Sequence, residues 1–403
     1  MFARRRRHPR HGRKSLRGST ILVGLALGLV GIVAGCLMAP KGSEGLSFPP
    51  AGPQVRVLLL NTVPEVTLTV DGQTRRVTPA ELSSGAITFH SERGEPVVVN
   101  SKRDSKGKEL SYRGTVRLVP DGPGIDVVNV LTVEEYLLGV ITRESPATWP
   151  MDALKSQAIA ARTYVIYNVQ NGPGSASAFD VFDDTRSQVY GGVLSETPQS
   201  RQAVVETSGK VMAYGPAGRE KIFQTYFSST CGGITASAAD IFPDDNIPPL
   251  RERLADGCES APRYHWTVTL PKAEFTDRVK AWGKAKNHSI QSMQTIANVR
   301  VEASNKLGRP TKYSITDAAG RRYVLLAEQA RSALGWDAPK ATEVFSGFFT
   351  ITDLGNDLRL DGQGFGHGVG LCQWCTNGWA KRGLKYDEIL KRSYPGAILV
   401  RAY

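Results

Sequence analysis

A change of pattern at Thr132 constrains the fold of this 403-residue chain more than any other feature. Before it the sequence alternates as strands do, at Val55 to Leu60 (VRVLLL), Val66 to Val70 (VTLTV), Ala86 to His90, Pro96 to Asn100 and Tyr112 to Val119. Asp71-Gly72, between VTLTV and TRRVT, is a hairpin signal. From Thr132 onward the chemistry is that of helices. Thr132-Val133-Glu134-Glu135 matches a capping box and leads into EYLLGVI. Pro146 and Pro150 then interrupt the chain, and Met151 to Val169 reads as a long helix. Its Leu154, Ala158, Ala161 and Val165 recur at helical spacing and form one buried stripe, and Asn171-Gly172-Pro173-Gly174 closes it. Short strands are expected at Gln188 to Gly191, Phe223 to Ser228 and Tyr264 to Thr269, with helices at Lys272 to Trp282 and around Asn377 to Arg382. Strands first and helices later give an α+β class, a β-rich body with a few helices forming a groove, in a single large domain over 54-403.

The net charge of +12 suggests a nucleic-acid or membrane partner until its position is considered. Residues 1 to 18 carry eight of the fifty basic residues and no acid, so the remainder holds 42 basic against 38 acidic residues. That balance argues against a nucleic-acid binder. The basic stretch precedes an uncharged apolar run, Ile21 to Ala39, and together they read as an export signal over 1-35. The run ends in Val33-Ala34-Gly35-Cys36, the form of a bacterial lipobox, in which Cys36 would carry lipid; an uncleaved membrane anchor is the alternative. Either way the body is expected outside the cytoplasm, in the cell envelope, tethered through the Pro-, Gly- and Ser-rich segment 36-53.

Glu144 stands in Arg143-Glu144-Ser145-Pro146, close to Trp149-Pro150. An indole and prolines around a carboxyl group favour partial desolvation, which raises its pKa and retains the proton that a general acid donates. Pairing with Arg143 or capping the next helix explains the residue too, and on spacing alone that is the favoured reading; local pattern does not establish catalysis.

Four separated motifs do more. DVVNVLTVEEYLLGVITRESPATWPMDALKSQAIAARTYV, DDTRSQVYGG, FQTYFSSTCGG and GQGFGHGVGLCQWCTNGWAKRG occur in the order found in the stage II sporulation protein D family, also called the amidase-enhancer family, and the resemblance runs from about Val55 to Tyr403. It implies a peptidoglycan lytic transglycosylase that cuts MurNAc-GlcNAc bonds of peptide-stripped glycan to 1,6-anhydro ends, or else a glycan-binding enhancer of a cell-wall amidase. The family's catalytic glutamate falls on Glu144, here followed by Ser-Pro where Met-Pro is usual. By the same resemblance Lys155 and Arg162, on the following helix, would meet the lactyl carboxylate of MurNAc. Gln188, Tyr190, Tyr226 and Ser228 would contact sugar, or equally pack a sheet. His367, in GFGHGVG, would hydrogen-bond substrate or Glu144, and Gln373 would join the groove.

The cysteines depart from the family. Cys372-Gln-Trp-Cys375, with Cys231 and Cys258, gives four in the body. Outside the cytoplasm these favour two disulfides, which admit three pairings, with a structural four-thiolate zinc site as the alternative. No cofactor is required for the chemistry itself.

Overall fold

The computed structural model describes residues 52–403 except 173, 175, 176 and 243–245. The export segment, the lipobox with Cys36 and all but the last two residues of the tether lie outside the described residues. The class is α+β, as expected.

Two sheets open the fold. One has the strand order Ile87–Phe89, Thr115–Asp121, Gly124–Thr132, Gln54–Val63 and Val181–Phe182, and is antiparallel except for its last pair. The other runs Gln73–Val77, Val66–Val70, Val97–Arg103 and Glu109–Tyr112, antiparallel throughout. Asp71 (φ +50°) and Gly72 (φ +82°) make the expected hairpin turn, both in the left-handed region that matches strand twist. The single strand expected over Tyr112 to Val119 is two strands in different sheets. Gly114, at φ +70°, divides them, and a side chain there would begin 2.3 Å from the Val130 carbonyl oxygen.

Helix α1 (Val133–Leu138) carries the expected capping box, in which Thr132 Oγ1 accepts from the Glu135 amide at 3.3 Å and the Glu135 carboxylate accepts from the Thr132 amide at 3.1 Å. After α2 (Ile141–Glu144) comes α3 (Met151–Asn171), and the expected stripe is buried. Burial goes further than a stripe, because Ile159, Ala160, Arg162 and Thr163 are also enclosed. One side of α3 packs into the core under the first sheet, with Leu137, Ile141 and Val204. Its Ile159 and Ala160 join a second cluster, with Phe223, Leu371 and Tyr394. The short alanine side chains let neighbours close in on both sides, which makes α3 the axis of the domain. Helices α4 (Pro198–Glu206) and α5 (Ala238–Ile241) follow. Gln188 to Gly191 is irregular chain rather than a strand, and of Phe223 to Ser228 only Phe227–Ser228 is extended and paired.

Residues 265–363 form a layer of their own. Strands His265–Pro271, Asp357–Gln363 and Phe349–Asp353 make one sheet, and Ile296–Ser304, Pro310–Asp317 and Arg322–Leu326 a second. With α6 (Lys272–Ala285) and α7 (Ala327–Leu334) they enclose a separate apolar core that includes Leu270, Phe275, Tyr313 and Leu360. The chain then returns through α8 (Gln373–Lys381) and α9 (Tyr386–Ser393) to strand Ile398–Arg401, which pairs with Lys210–Tyr214. The helix expected around Asn377 to Arg382 is α8, and α9 follows it as a further one.

Candidate active site

Glu144 is the last residue of α2. Pro146 disfavours helical backbone at the residue before it, so Ser145 turns extended (φ −136°, ψ 129°) and the carboxylate is left at a helix end. Its Oε1 accepts from the Val189 amide at 2.8 Å, and its Oε2 accepts from Gln373 Nε2 at 3.2 Å. Gln373 Nε2 also lies 3.5 Å from Gln157 Oε1, which accepts from Ser145 Oγ at 3.4 Å. The Gln157 amide nitrogen is buried with no partner among the described residues. Beside this network the indoles of Trp149 and Trp374 meet edge to face, 5.4 Å apart.

Burial pushes the Glu144 carboxyl above its ordinary pKa, against the opposing pull of the Val189 amide, the Gln373 side chain and the charge of Arg143. Arg143 is exposed and makes no ion pair among the described residues. A half-buried carboxyl group that holds its proton, and whose conjugate base is received by two donors, can give a proton and take one back.

From Glu144 an aromatic wall runs outward. Burial pushes the Tyr164 hydroxyl, on α3, above its ordinary pKa, the neighbouring Ser187, Gln224 and Asn168 side chains oppose that, and the Glu144 charge adds to it; its backbone carbonyl accepts from Asn168 Nδ2 at 2.8 Å. Its ring meets Tyr226 at 6.4 Å, and Tyr226 stacks on Phe242 at 4.3 Å. His367 closes the wall, 5.9 Å from Tyr226 and 5.6 Å from Phe242.

Several residues expected at the site have other duties. Lys155 pairs with Glu206 of α4 and lies over the Tyr386 ring. Arg162 is fully buried, donating to Glu134 at 2.9 and 2.7 Å and to the carbonyl oxygens of Lys210 and Val204. The reason is helical phase: at about 100° per residue, Gln157 lies about 200° round α3 from Lys155, so the side that meets Gln373 is not the side carrying the two cations. Gln188 is in the core, accepting from the Tyr136 hydroxyl at 3.2 Å and donating to the Ala161 carbonyl at 3.3 Å. Tyr190 is buried against Tyr112 and Tyr136 and donates to Asn129. Ser228 Oγ accepts from the Gly368 amide, which holds the glycine loop in place. His367 does not bond Glu144; its Nδ1 accepts from the Val369 amide at 3.0 Å. Burial lowers its pKa to about 4, so it is neutral at ordinary pH. Of the expected residues, Gln373 alone touches Glu144 directly, and Tyr226 and His367 belong to the adjoining wall. Gln157, Tyr164 and the Val189 amide were not anticipated. Gln157 and Tyr164 stand 13 and 20 residues after Glu144, on a helix that begins beside it.

Residues 121–214, which hold Glu144, Gln157, Tyr164 and Val189, match the stage II sporulation protein family. An uncharacterised protein of Brachyspira hyodysenteriae is 32% identical over 293 residues, covering 72% of this chain and 73% of that one. Stage II sporulation protein D of Bacillus subtilis is 28% identical over 321 residues, 76% of this chain and 86% of the relative. The amidase enhancer of B. subtilis is 27% identical over 303 residues, 65% of this chain but 40% of that longer protein. The chain belongs to the stage II sporulation protein D family. Residues 250–370 separately match a domain of unknown function. That match includes the whole layer that has its own apolar core, together with the segments on either side of it.

The cysteines also differ from the favoured expectation. No disulfide joins Cys231, Cys258, Cys372 and Cys375, and their four sulfurs lie within 4.8 Å of one another.

Proposed function

We propose that this protein is a cell-wall enzyme, a lytic transglycosylase acting on peptide-stripped glycan strands of peptidoglycan, with Glu144 as acid and then base. The observation that carries the reading is a lone carboxyl group of raised pKa, received by the Val189 amide and Gln373, with Arg143 as the one charge acting on it among the described residues. A hydrolytic glycosidase ordinarily needs a second carboxylate as nucleophile or as base for water. A non-hydrolytic cut does not. Protonated Glu144 gives its proton to the bridging oxygen of a MurNAc-GlcNAc bond, and the C1–O bond breaks with oxocarbenium-like charge at C1. The carboxylate then removes the proton of the MurNAc 6-hydroxyl as that oxygen attacks C1. One bond is lost, one is formed, and the carboxyl group ends protonated.

Trp149, Trp374, Tyr164 and Tyr226 offer faces and edges to pyranose rings, and Arg143 takes over the recognition of the lactyl carboxylate that Lys155 and Arg162, engaged elsewhere, do not supply. The N-terminal basic and apolar segment would place the domain in the cell envelope, anchored by lipid on Cys36 or by the apolar run itself. A second reading comes from the relative named amidase enhancer: the same groove grips glycan and stimulates an amidase without cutting.

One experiment separates the two. Purified protein is incubated with peptide-free glycan and no amidase, and products are analysed by mass. Anhydro ends, one water lighter than hydrolysis products and absent with Glu144→Gln, support the enzyme. Intact glycan, with amidase activity raised on addition of the protein, refutes cleavage.

A further inference from the structure

We infer that Cys231, Cys258, Cys372 and Cys375 form a tetrathiolate site for one structural zinc ion, which fixes the N-terminus of α8 and, with it, Gln373 against Glu144. The geometry is the first ground. Cys231 Sγ lies 3.7 Å from both Cys258 Sγ and Cys375 Sγ. Four sulfurs at the usual zinc–sulfur distance of about 2.3 Å form a tetrahedron with edges of about 3.8 Å. A disulfide brings two sulfurs to about 2.05 Å and leaves the other pair free to lie anywhere. Here three separate segments instead converge on one centre: the loop after Phe227–Ser228, the stretch before the inserted layer, and the first turn of α8. Backbone amides of Cys231 and Cys375 both point at Cys372 Sγ, at 3.3 Å, the hydrogen bonding that stabilises sulfur as thiolate.

The second ground is charge. Zinc with four thiolates carries two negative charges, and burying that much charge needs compensation. Two guanidinium groups supply it. Arg309 is 2% exposed and donates to the Cys231 carbonyl at 2.8 Å, to Ile234 at 2.7 Å and to His367 at 3.3 Å. Arg253 donates to the Gly370 carbonyl, while its Nε and Nη1 are buried without partners. Neither arginine forms an ion pair with a carboxylate among the described residues. Two guanidinium groups with no ion-paired carboxylate among the described residues, beside four converging sulfurs, are the two halves of one neutral arrangement. Zinc suits an all-sulfur set outside the cytoplasm because it has no redox chemistry of its own. All four sulfur-bearing residues are nearly inaccessible, at most 2% exposed, so thiol exchange from solvent is blocked.

The consequence for Gln373 rests on the proposed function; the metal site does not. Cys372 and Cys375 bracket Gln373 and Trp374, so fixing both sulfurs orients the amide toward Glu144 and the Trp374 indole against Trp149.

The test is elemental analysis and non-reducing intact mass of the full chain, purified once under reducing conditions and once in air. About one zinc per chain in both preparations, with unchanged thiol mass, is the expected result. Iron in place of zinc, four free body thiols without metal, or a mass lighter by two hydrogens for each disulfide overturns the site. Cobalt exchange into the wild-type protein gives a thiolate charge-transfer band if the four sulfurs ligate, and its absence counts against them without needing a variant to fold. Cys375→Ser is expected to lose zinc, and Gln373→Ala to retain it while cleaving glycan more slowly. Zinc found without glycan cleavage leaves the metal site standing and removes only the proposed activity.

Discussion

Protonation decides whether Glu144 can act as an acid, and the groups around it make that a titratable property. Because burial raises its pKa in the folded state, the folded protein binds this proton more tightly than the unfolded chain does. Stability from this group is therefore complete below the unfolded value of about 4.3 and is lost as pH rises through the raised folded value. Glu144→Gln has no such charge to bury. It is expected to lower glycan cleavage by about 10²-fold to 10⁴-fold and to melt no lower than the parent at pH 7, with any advantage vanishing below pH about 4. Calorimetry across pH, beside the digestion, checks both. Gln373 acts in the opposite sense, since its amide favours the carboxylate. Gln373→Ala should therefore move the basic limb of the activity profile to higher pH while reducing kcat through lost positioning. A limb that stays in place would reduce Gln373 to a packing residue.

At the scale of the element, α3 carries most of what the sequence revealed and most of what it concealed. Its apolar stripe and its limits follow from spacing and from Pro150, and the capping box of α1 from four residues. The second buried side is not visible in periodicity, because alanines, serine and threonine fill it without altering the pattern. An arginine on such a helix reads as solvated until its neighbours are known. Glu134, its partner, is acted on by burial, which raises its pKa, and by Arg162, Tyr403 and the Gly209 amide, which together bring it below the ordinary value. Its contribution to stability is present above the unfolded pKa and is lost as pH falls through the lowered one. Arg162→Ala should cost about 3–5 kcal/mol, the range for stranding one member of a buried pair, read as a shifted denaturant midpoint. Lys155→Ala, which breaks a partly exposed pair, should cost about 0–1 kcal/mol. A folded, stable Arg162→Ala protein with weakened glycan binding would restore the role first expected of it. Gln188 and Tyr190 mislead for a related reason: a side chain suited to a sugar is equally suited to close a core hydrogen bond, as Gln188 does with Tyr136.

For the whole molecule the inserted layer is the chief addition. Its long span of strands between two motif-bearing segments left no periodic signal strong enough to separate it, and only packing divides its core from the rest. The two ends of the insertion are adjacent, since the Gly364 amide donates to the Tyr264 carbonyl at 3.0 Å. A layer attached in this way could be a passenger, yet Arg309, beside the Asn305–Gly308 turn, reaches out of it to the backbone of Cys231, Ile234 and His367. Gly368 makes room for it: a side chain there would begin 2.6 Å from the guanidinium. The layer therefore supports the cysteine cluster and the wall of the groove from behind. Replacing residues 265–363 by a short glycine linker should leave a protein that still folds around the first sheet and α3, with a lower melting temperature and weaker metal retention. Arg309→Ala in the full chain should reproduce much of that deficit, at about 1–3 kcal/mol for each buried carbonyl left without its donor. Thermal melts and metal content of both variants decide the matter. If excision is damaging and Arg309→Ala is silent, the layer supports the site through apolar contact such as Phe345 against Phe365, whose ring centroids lie 5.6 Å apart, rather than through this arginine. If both are silent, the layer is independent of the groove and its role lies elsewhere on its own surface.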